Sequence, residues 1–314
     1  MKESKKDFLS LQSFSKAELL EMIRMGLRVK DAPESYSEEC TDKTLLLIFQ
    51  APSLRTRLSF EQAMLQMNGE TIYYPLDQSP WGKGKESIED VGKVISRYVN
   101  VVMARIFSHE DLVKLAEYAT IPVINGLTNG GHPCQVLGDL MTITEKKEKL
   151  DRLQLTYVGD CNNNLTFSLL EACPIVGMDV VLGCPQGKEF KVPEKLWSQA
   201  LQTARKNGTK MEMHHDAAAA IRNADVVYTD SWMSYRVPES ERARRVKILK
   251  PFQVNEKLMQ RAAKDAIFMH CLPALRGNEV TPGVIDGRWS VVFDQAENRM
   301  HIQKAILLKL LGKY

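Results

Sequence analysis

Short apolar runs alternate with segments of helical period along nearly the whole chain. The apolar runs predict strands at 44–49, 70–74, 101–106, 121–124, 154–158, 178–182, 226–229, 267–270 and 290–293. Parallel strands joined by helical crossovers produce this alternation, because each helix carries the chain back to the edge where the next strand starts. We therefore predict an α/β fold of two doubly wound parallel-sheet domains linked by helices.

The alternation stops at the charged stretch 145–152 and restarts at Gln154, which indicates a boundary between two domains. Helical period across 135–144 predicts that a helix crosses this boundary, and a second helix over 296–311 would return to the first half. We predict a first domain of residues 1–140 plus 296–314 and a second of residues 141–295. A chain of 314 residues suits two domains of about 150 residues each.

Composition narrows the class of protein. With 44% hydrophobic and 26% charged residues the chain resembles an ordinary globular protein, and a net charge of +3 is too small to indicate nucleic acid or an anionic membrane as a partner. Six cysteines without a CxxC pair fit free thiols in a reducing cytoplasm. No window resembles a secretory leader or a membrane span. We predict a cytoplasmic protein with no metal and no cofactor.

The first candidate site lies where the strand 44–49 gives way to a helix. Ser53-Leu54-Arg55-Thr56-Arg57 places two arginines and two hydroxyls in the first helical turn. Unpaired N–H groups and the positive end of the helix dipole favour an anion at such a place, and arginine adds a planar two-pronged donor. The pentapeptide alone also fits a capped surface helix with solvated arginines. Its partners further along the chain decide between the two.

Four further clusters follow predicted strands, where open α/β sheets bind ligands. They are Arg105, the segment His132-Pro133-Cys134-Gln135, Asp230 and the segment His270-Cys271-Leu272-Pro273. Taken singly, each also fits an ordinary strand end, a cap or a tight turn. The strand before Gly159-Asp160 is typical of a dinucleotide site, but GxGxxG is absent, which disfavours that function.

Taken together and in this order, the clusters identify a family. The chain resembles the aspartate/ornithine carbamoyltransferases over essentially its whole length. The resemblance is carried by Ser-x-Arg-Thr-Arg at 53–57, Arg105, His-Pro-x-Gln at 132–135, Gly-Asp-x(2)-Asn-Asn at 159–164, Asp-x-Trp at 230–232, His-Cys-Leu-Pro at 270–273 and Ala-Glu-Asn-Arg at 296–299. The motif His-Cys-Leu-Pro and the pair Asn163-Asn164 are similar to the corresponding motifs of the ornithine branch of the family.

The resemblance implies transfer of a carbamoyl group from carbamoyl phosphate to an amine, with ornithine as the expected acceptor. Arg105, His132 and Cys271 are the expected catalytic residues. The residues expected to bind carbamoyl phosphate are Ser53, Leu54, Arg55, Thr56, Arg57, Trp81, Arg105, His132, Gln135, Leu272 and Arg299. Those expected to bind ornithine are Asn163, Asn164, Asp230, Ser234, Tyr235 and Cys271. Arg105 and His132 suit the carbonyl oxygen, where negative charge grows as the amine attacks.

Three positions depart from the ornithine pattern. Leu54 stands where threonine is usual, and Trp81 stands about where the family offers a glutamine to a neighbouring subunit. Tyr235-Arg236 replaces the Met-Gly of the acceptor loop, which adds a cation. Other acceptors therefore stay open: putrescine, another diamine or an N-acylornithine. A catalytically silent member of the family is a further alternative.

The resemblance also implies a homotrimer with shared active sites, in which Trp81 or Lys83 would reach the neighbouring site. The sequence leaves open whether trimers assemble further and whether the reaction runs toward citrulline or away from it.

Overall fold

The fold is that of a computed structural model that describes residues 5–233 and 237–313. Its strands are β1 (Thr44–Phe49), β2 (Glu70–Pro75), β3 (Val101–Arg105), β4 (Val123–Leu127), β5 (Gln154–Val158), β6 (Asp179–Gly183), β7 (Met211–His214), β8 (Val226–Tyr228) and β9 (Ile267–Met269). Its α-helices are α1 (Lys16–Asp31), α2 (Leu54–Leu65), α3 (Ile88–Ile95), α4 (His109–Tyr118), α5 (Pro133–Lys147), α6 (Asn164–Val176), α7 (Glu194–Asn207), α8 (Ala217–Ala220), α9 (Arg242–Leu249), α10 (Glu256–Met259), α11 (Pro282–Ile285) and α12 (Val292–Leu310).

The chain divides into two compact units. Unit 1 comprises residues 1–141 and 297–314, and unit 2 comprises residues 142–296. Helices α5 and α12 each run across a point of division. The α/β class and the parallel sheets are confirmed, with one sheet in each unit.

The sheet of unit 1 has the strand order β2-β1-β3-β4, and each pair of neighbours is parallel. Its strands are short apolar runs that helices cover, and β1, β3 and β4 are almost fully buried. The chain leaves β1 in one direction to β2 and then returns to β3 on the other side of β1. The carboxyl ends of β1 and β3 therefore flank the point where the winding reverses, and ligands bind at such points in open α/β sheets.

The sheet of unit 2 has the order β7-β6-β5-β8-β9, again with parallel neighbours. Its winding reverses between β5 and β8. The loops that follow β5 and β8 are those that begin with Gly159 and Thr229, and both precede segments singled out in the sequence. The topology alone thus brings Asp160 and Asp230 to one edge of this sheet.

One predicted strand is absent from the structure, and one strand of the structure was not predicted. Residues 290–293 form no strand: Ser290 makes an isolated bridge to Phe268, and α12 has already begun at Val292. The strand β7 was missed because it lies at the sheet edge and its sequence, Met-Glu-Met-His, lacks a continuous apolar run. No helix within the described ranges is long and apolar enough to cross a membrane.

Candidate active site

The start of α2 holds the first group of candidate residues, in unit 1. Ser53 is the N-cap, and its Oγ accepts a hydrogen bond from the Thr56 backbone N–H at 3.3 Å. The cap fixes the first turn of α2. The other backbone amides of this turn and the half-buried Arg55 are therefore held just beyond the end of β1. Backbone N–H groups and the helix dipole give this position a positive potential.

Two buried arginines converge on the hydroxyl of Thr56. Arg105, at the end of β3, is 5% exposed and places Nη1 3.4 Å from Thr56 Oγ1. Arg299, on α12, is 2% exposed and places Nη2 3.5 Å from the same oxygen. Two buried like charges repel each other, and a bound anion would offset that cost through charge-assisted hydrogen bonds. The arrangement therefore suits a phosphate group.

His132 and Gln135 lie at the start of α5, beside these cations. Burial holds the pKa of the His132 imidazole well below its usual range, and the charges of Arg299, Arg105 and Arg55 lower it further. The imidazole is therefore neutral near pH 7 and can donate one hydrogen bond without carrying charge. Gln135 accepts a hydrogen bond from Arg299 through Oε1 and donates one from Nε2 to Asp139 at 2.8 Å.

Three predicted donor-binding residues of unit 1 have other surroundings. Arg57 donates from Nε to Glu61 at 2.8 Å, and its guanidinium lies 4.0 Å from the centroid of the Tyr73 ring. Trp81 is half-buried and packs against the apolar cluster at α3. The side chain of Leu54 is 70% exposed. The roles predicted for these three residues stay predictions.

In unit 2, the predicted acceptor residues Asp230 and Cys271 meet. Asp230 follows β8 and Cys271 follows β9, and because these strands are neighbours their ends lie side by side. The Cys271 thiol donates to Asp230 Oδ1 at 3.2 Å, and the Ser231 backbone N–H donates to the same oxygen at 2.7 Å. Burial raises the pKa of the Asp230 carboxyl. The pair offers a partly desolvated acceptor for an ammonium group.

The turn after β9 is organised by two residues that sequence reasoning did not assign, His270 and Glu279. His270 Nδ1 accepts the Leu272 backbone N–H at 2.9 Å, so the ring proton lies on Nε2, which is 3.5 Å from Glu279 Oε1. Both side chains are at most 1% exposed. Leu272 has a positive φ of 57°, and the peptide bond to Pro273 is cis. His270 was visible in the motif, whereas no local pattern signals that Glu279 is buried.

The asparagines after β5 have different surroundings. Asn163 caps α6: its Oδ1 accepts the Thr166 N–H at 2.9 Å, and its Nδ2 donates to the Tyr157 hydroxyl at 2.9 Å. Its amide thus holds the start of the helix. Asn164 is the first residue of α6 and is half-buried. That these two residues bind the acceptor stays a prediction, and Ser234, Tyr235 and Arg236 lie outside the described residues.

The carboxylate, imidazole and thiol of Asp230, His270 and Cys271 have ligand atoms within 4.8 Å of one another. Such a set could also hold a cation such as Zn²⁺. The expectation of a metal-free site stays a prediction.

Comparisons with known proteins bear on both units. Residues 6–145 match the model of the "Aspartate/ornithine carbamoyltransferase, carbamoyl-P binding domain", and residues 151–310 match that of the "Asp/Orn binding domain". The chain belongs to the aspartate/ornithine carbamoyltransferase family. The first model covers every donor-binding candidate of unit 1 except Arg299, and the second covers every acceptor-binding candidate.

Individual relatives are similar over nearly their full length. The ornithine carbamoyltransferase of Anoxybacillus flavithermus is 46% identical over 308 residues, which are 98% of this chain and 96% of the relative. The anabolic ornithine carbamoyltransferase of Pyrococcus furiosus is 45% identical over 312 residues, with the same coverage of both chains.

Solved structures give the same result. Ornithine carbamoyltransferase from Pyrococcus furiosus superimposes with a TM-score of 0.93 at 43% identity and covers 99% of this chain and 98% of its own. Ornithine transcarbamoylase from Giardia lamblia superimposes with a TM-score of 0.90 at 36% identity and covers both chains completely.

We expect the His132 imidazole to stay neutral when other histidines become protonated. NMR should show its ring resonances unchanged as the pH falls through about 6.5, the usual histidine pKa. The unfolded chain takes up a proton in that range and the native site does not, so the free energy of unfolding should fall below about pH 6.5. His132→Asn should remove both the assigned resonances and this part of the pH dependence. A His132 resonance that titrates at the ordinary value would contradict the assignment.

Proposed function

We propose that this chain is an ornithine carbamoyltransferase, which transfers the carbamoyl group of carbamoyl phosphate to the distal amine of L-ornithine and releases L-citrulline and phosphate. The observation that carries the choice of acceptor is the contact between Asp230 and Cys271 in unit 2. A partly desolvated carboxylate prefers a free α-ammonium, which ornithine has and an N-acylornithine lacks.

The donor residues of unit 1 would act by electrostatics. The first-turn amides of α2, Arg55 and Thr56 would hold the phosphate, while Arg105 and neutral His132 would donate to the carbonyl oxygen. Negative charge grows on that oxygen as the amine attacks, so donors placed there in advance lower the barrier. Gln135 Oε1 already accepts from Arg299 and has a second lone pair for the carbamoyl NH₂.

The acceptor must react as a neutral amine. A primary amine with a pKa near about 10.4 is mostly protonated at neutral pH, so the site has to bind the minor form or assist loss of its proton. The C–N bond forms as the C–O bond to phosphate breaks, and the leaving phosphate can take the proton that the amine gives up. This chemistry requires no side-chain base.

The experiment that tests the acceptor is a panel of amines with carbamoyl phosphate, scored by formation of the ureido product. We expect kcat/KM to be highest for L-ornithine, lower for putrescine, which lacks the carboxylate, and lowest for N-acetylornithine, which lacks the α-ammonium. Higher kcat/KM for N-acetylornithine or putrescine would show that the acceptor is wrong. No ureido product with any amine, from a folded protein, would favour the catalytically silent alternative.

Removal of Arg55 should weaken donor binding without loss of the fold. The loss of a charged hydrogen-bonding group at an anion site should cost about 1.5–3 kcal/mol of binding free energy. Calorimetric titration of inorganic phosphate and carbamoyl phosphate into Arg55→Ala would measure this cost. Arg24→Ala, which removes an exposed arginine of α1, is the matched control and should bind both ligands as the wild type does. Unchanged donor affinity in Arg55→Ala would remove Arg55 from the site.

We also propose a homotrimer. Support comes from an apolar groove of about 340 Å³ at the edge strand β2, lined in part by Ile72, Tyr74, Trp81, Val94 and Tyr98. Tyr98 is 78% exposed and Ile72 is 49% exposed. Adjacent exposed apolar side chains of this kind mark interfaces between proteins. The cytoplasmic location is likewise proposed, and six free cysteines, five of them buried, support it.

If subunits share sites, two inactive variants should restore each other. Lys83 is exposed on the loop after Trp81, so it can reach beyond its own subunit. Mixed trimers of Arg105→Ala and Lys83→Ala subunits should recover part of the activity that each variant lacks alone, because some sites then receive both intact residues. Activity in mixed trimers no higher than in the parent variants would contradict shared sites.

A further inference from the structure

One buried side chain of unit 2, Arg245 on α9, bonds to both segments that hold the predicted acceptor residues. Its Nε donates to the Trp232 carbonyl oxygen at 3.0 Å. Its Nη2 donates to Asp160 Oδ2, in an ion pair whose two side chains are each 6% exposed. Trp232 belongs to the loop after β8 that begins with Asp230, and Asp160 begins the loop after β5. One guanidinium therefore spans the two loops.

Asp160 also bonds to other residues of its own loop. While Oδ2 pairs with Arg245, Oδ1 accepts the Asn162 backbone N–H at 2.9 Å. The next residue, Asn163, donates from its side chain to the Asp160 carbonyl oxygen and caps α6. A carboxylate that turns away from Arg245 would therefore release the backbone that leads to Asn163 and Asn164.

The position of Arg245 is fixed by packing as well as by hydrogen bonds. Its guanidinium lies 5.0 Å from the centroid of the Phe190 ring, a cation–π contact. Phe190 and Trp232 form a small buried cluster with Leu249, one turn further along α9. Gly159 has a φ of +136°, which favours glycine, and it lies beside Trp232: a Cβ there would be in ordinary van der Waals contact with Trp232 Nε1, at 3.5 Å. The loop after β8 thus rests on the loop after β5 with Arg245 at their junction.

We propose that Arg245 is a positioning residue that sets the acceptor affinity by holding the Asp230 loop and the Asp160–Asn164 loop in one register. The proposal rests on the proposed function, because it takes these loops as the acceptor site. Arginine suits the task because its planar fork bonds to two acceptors in fixed directions, which lysine cannot do. Displacement of binding groups by about 1 Å lowers the efficiency of a site strongly.

A contrasting residue lies next to it. Arg244 is exposed and forms ion pairs with Glu189 and Glu241 at the surface. Surface pairs of this kind contribute little to stability. Arg244→Gln therefore makes the same chemical change on the same helix, at a side chain whose ion pairs among the described residues are with Glu189 and Glu241.

The test is a comparison of Arg245→Lys, Arg245→Gln and Arg244→Gln with wild type at saturating carbamoyl phosphate. We expect KM for ornithine to rise about tenfold or more in Arg245→Gln and by a smaller factor in Arg245→Lys, which keeps the charge but not the fork. KM in Arg244→Gln and the affinity of every variant for inorganic phosphate should stay within about twofold of wild type. A merely structural role would lower the active fraction, and hence the apparent kcat, with KM unchanged.

Arg245→Lys decides the question if Arg245→Gln fails to fold, since it leaves no unpaired charge beside Asp160. If both variants fold, a wild-type KM in both would overturn the proposal. If only Arg245→Lys folds, a wild-type KM in that variant would overturn it. If wild type carbamoylates another amine and not ornithine, the proposed function fails. The KM ratios of the variants to wild type are then measured with that amine. Raised ratios would support the positioning role, and wild-type ratios would overturn it.

Discussion

The constraint on which the site of unit 1 depends is the burial of Arg105 and Arg299 around one hydroxyl, that of Thr56. Burying two cations at hydrogen-bond distance from a single oxygen costs free energy. The fold holds them there because Arg105 lies at the end of a buried strand and Arg299 lies on a long, buried helix. Burial, assisted by these charges, holds the pKa of His132 well below its usual range, so the imidazole is neutral near pH 7. A site built this way favours a compact anion and leaves neutral donors for the carbonyl group beside it.

The site of unit 2 has the opposite character. Its central ionisable group is the half-buried carboxyl of Asp230, which is bonded to a thiol and a backbone amide. His270 and Glu279 organise the turn that carries Cys271. The two units thus present a set of cations and a carboxylate with an adjacent thiol, which match the two substrates of carbamoyl transfer in charge. Arg245 bonds to the loop that carries Asp230, through the Trp232 carbonyl oxygen.

Much of this could be predicted from the sequence because parallel sheets impose a simple rule. Strands appear as apolar runs, and polar residues just after them gather at one edge, so local patterns mark Arg105, Asp230 and Cys271 as candidates, while their predicted roles come from the family resemblance. The sequence patterns failed for two kinds of feature. The edge strand β7 and the run 290–293 have local patterns that tertiary contacts override. Arg245 is buried against Asp160, which is 85 residues away in sequence, and Glu279 is buried against His270 across an irregular turn that has no local sequence pattern. The Arg57–Glu61 pair has the spacing of a helical ion pair and could have been predicted.

The most direct test of the account follows a single atom. Carbamoyl phosphate labelled at its carbonyl carbon is incubated with the protein and L-ornithine, and the label is followed by NMR together with the release of inorganic phosphate. The account predicts that the label moves to the ureido carbon of citrulline and that citrulline and phosphate appear in equal amounts. Phosphate released without labelled citrulline, or label found on another amine when ornithine is present at the same concentration, would contradict it.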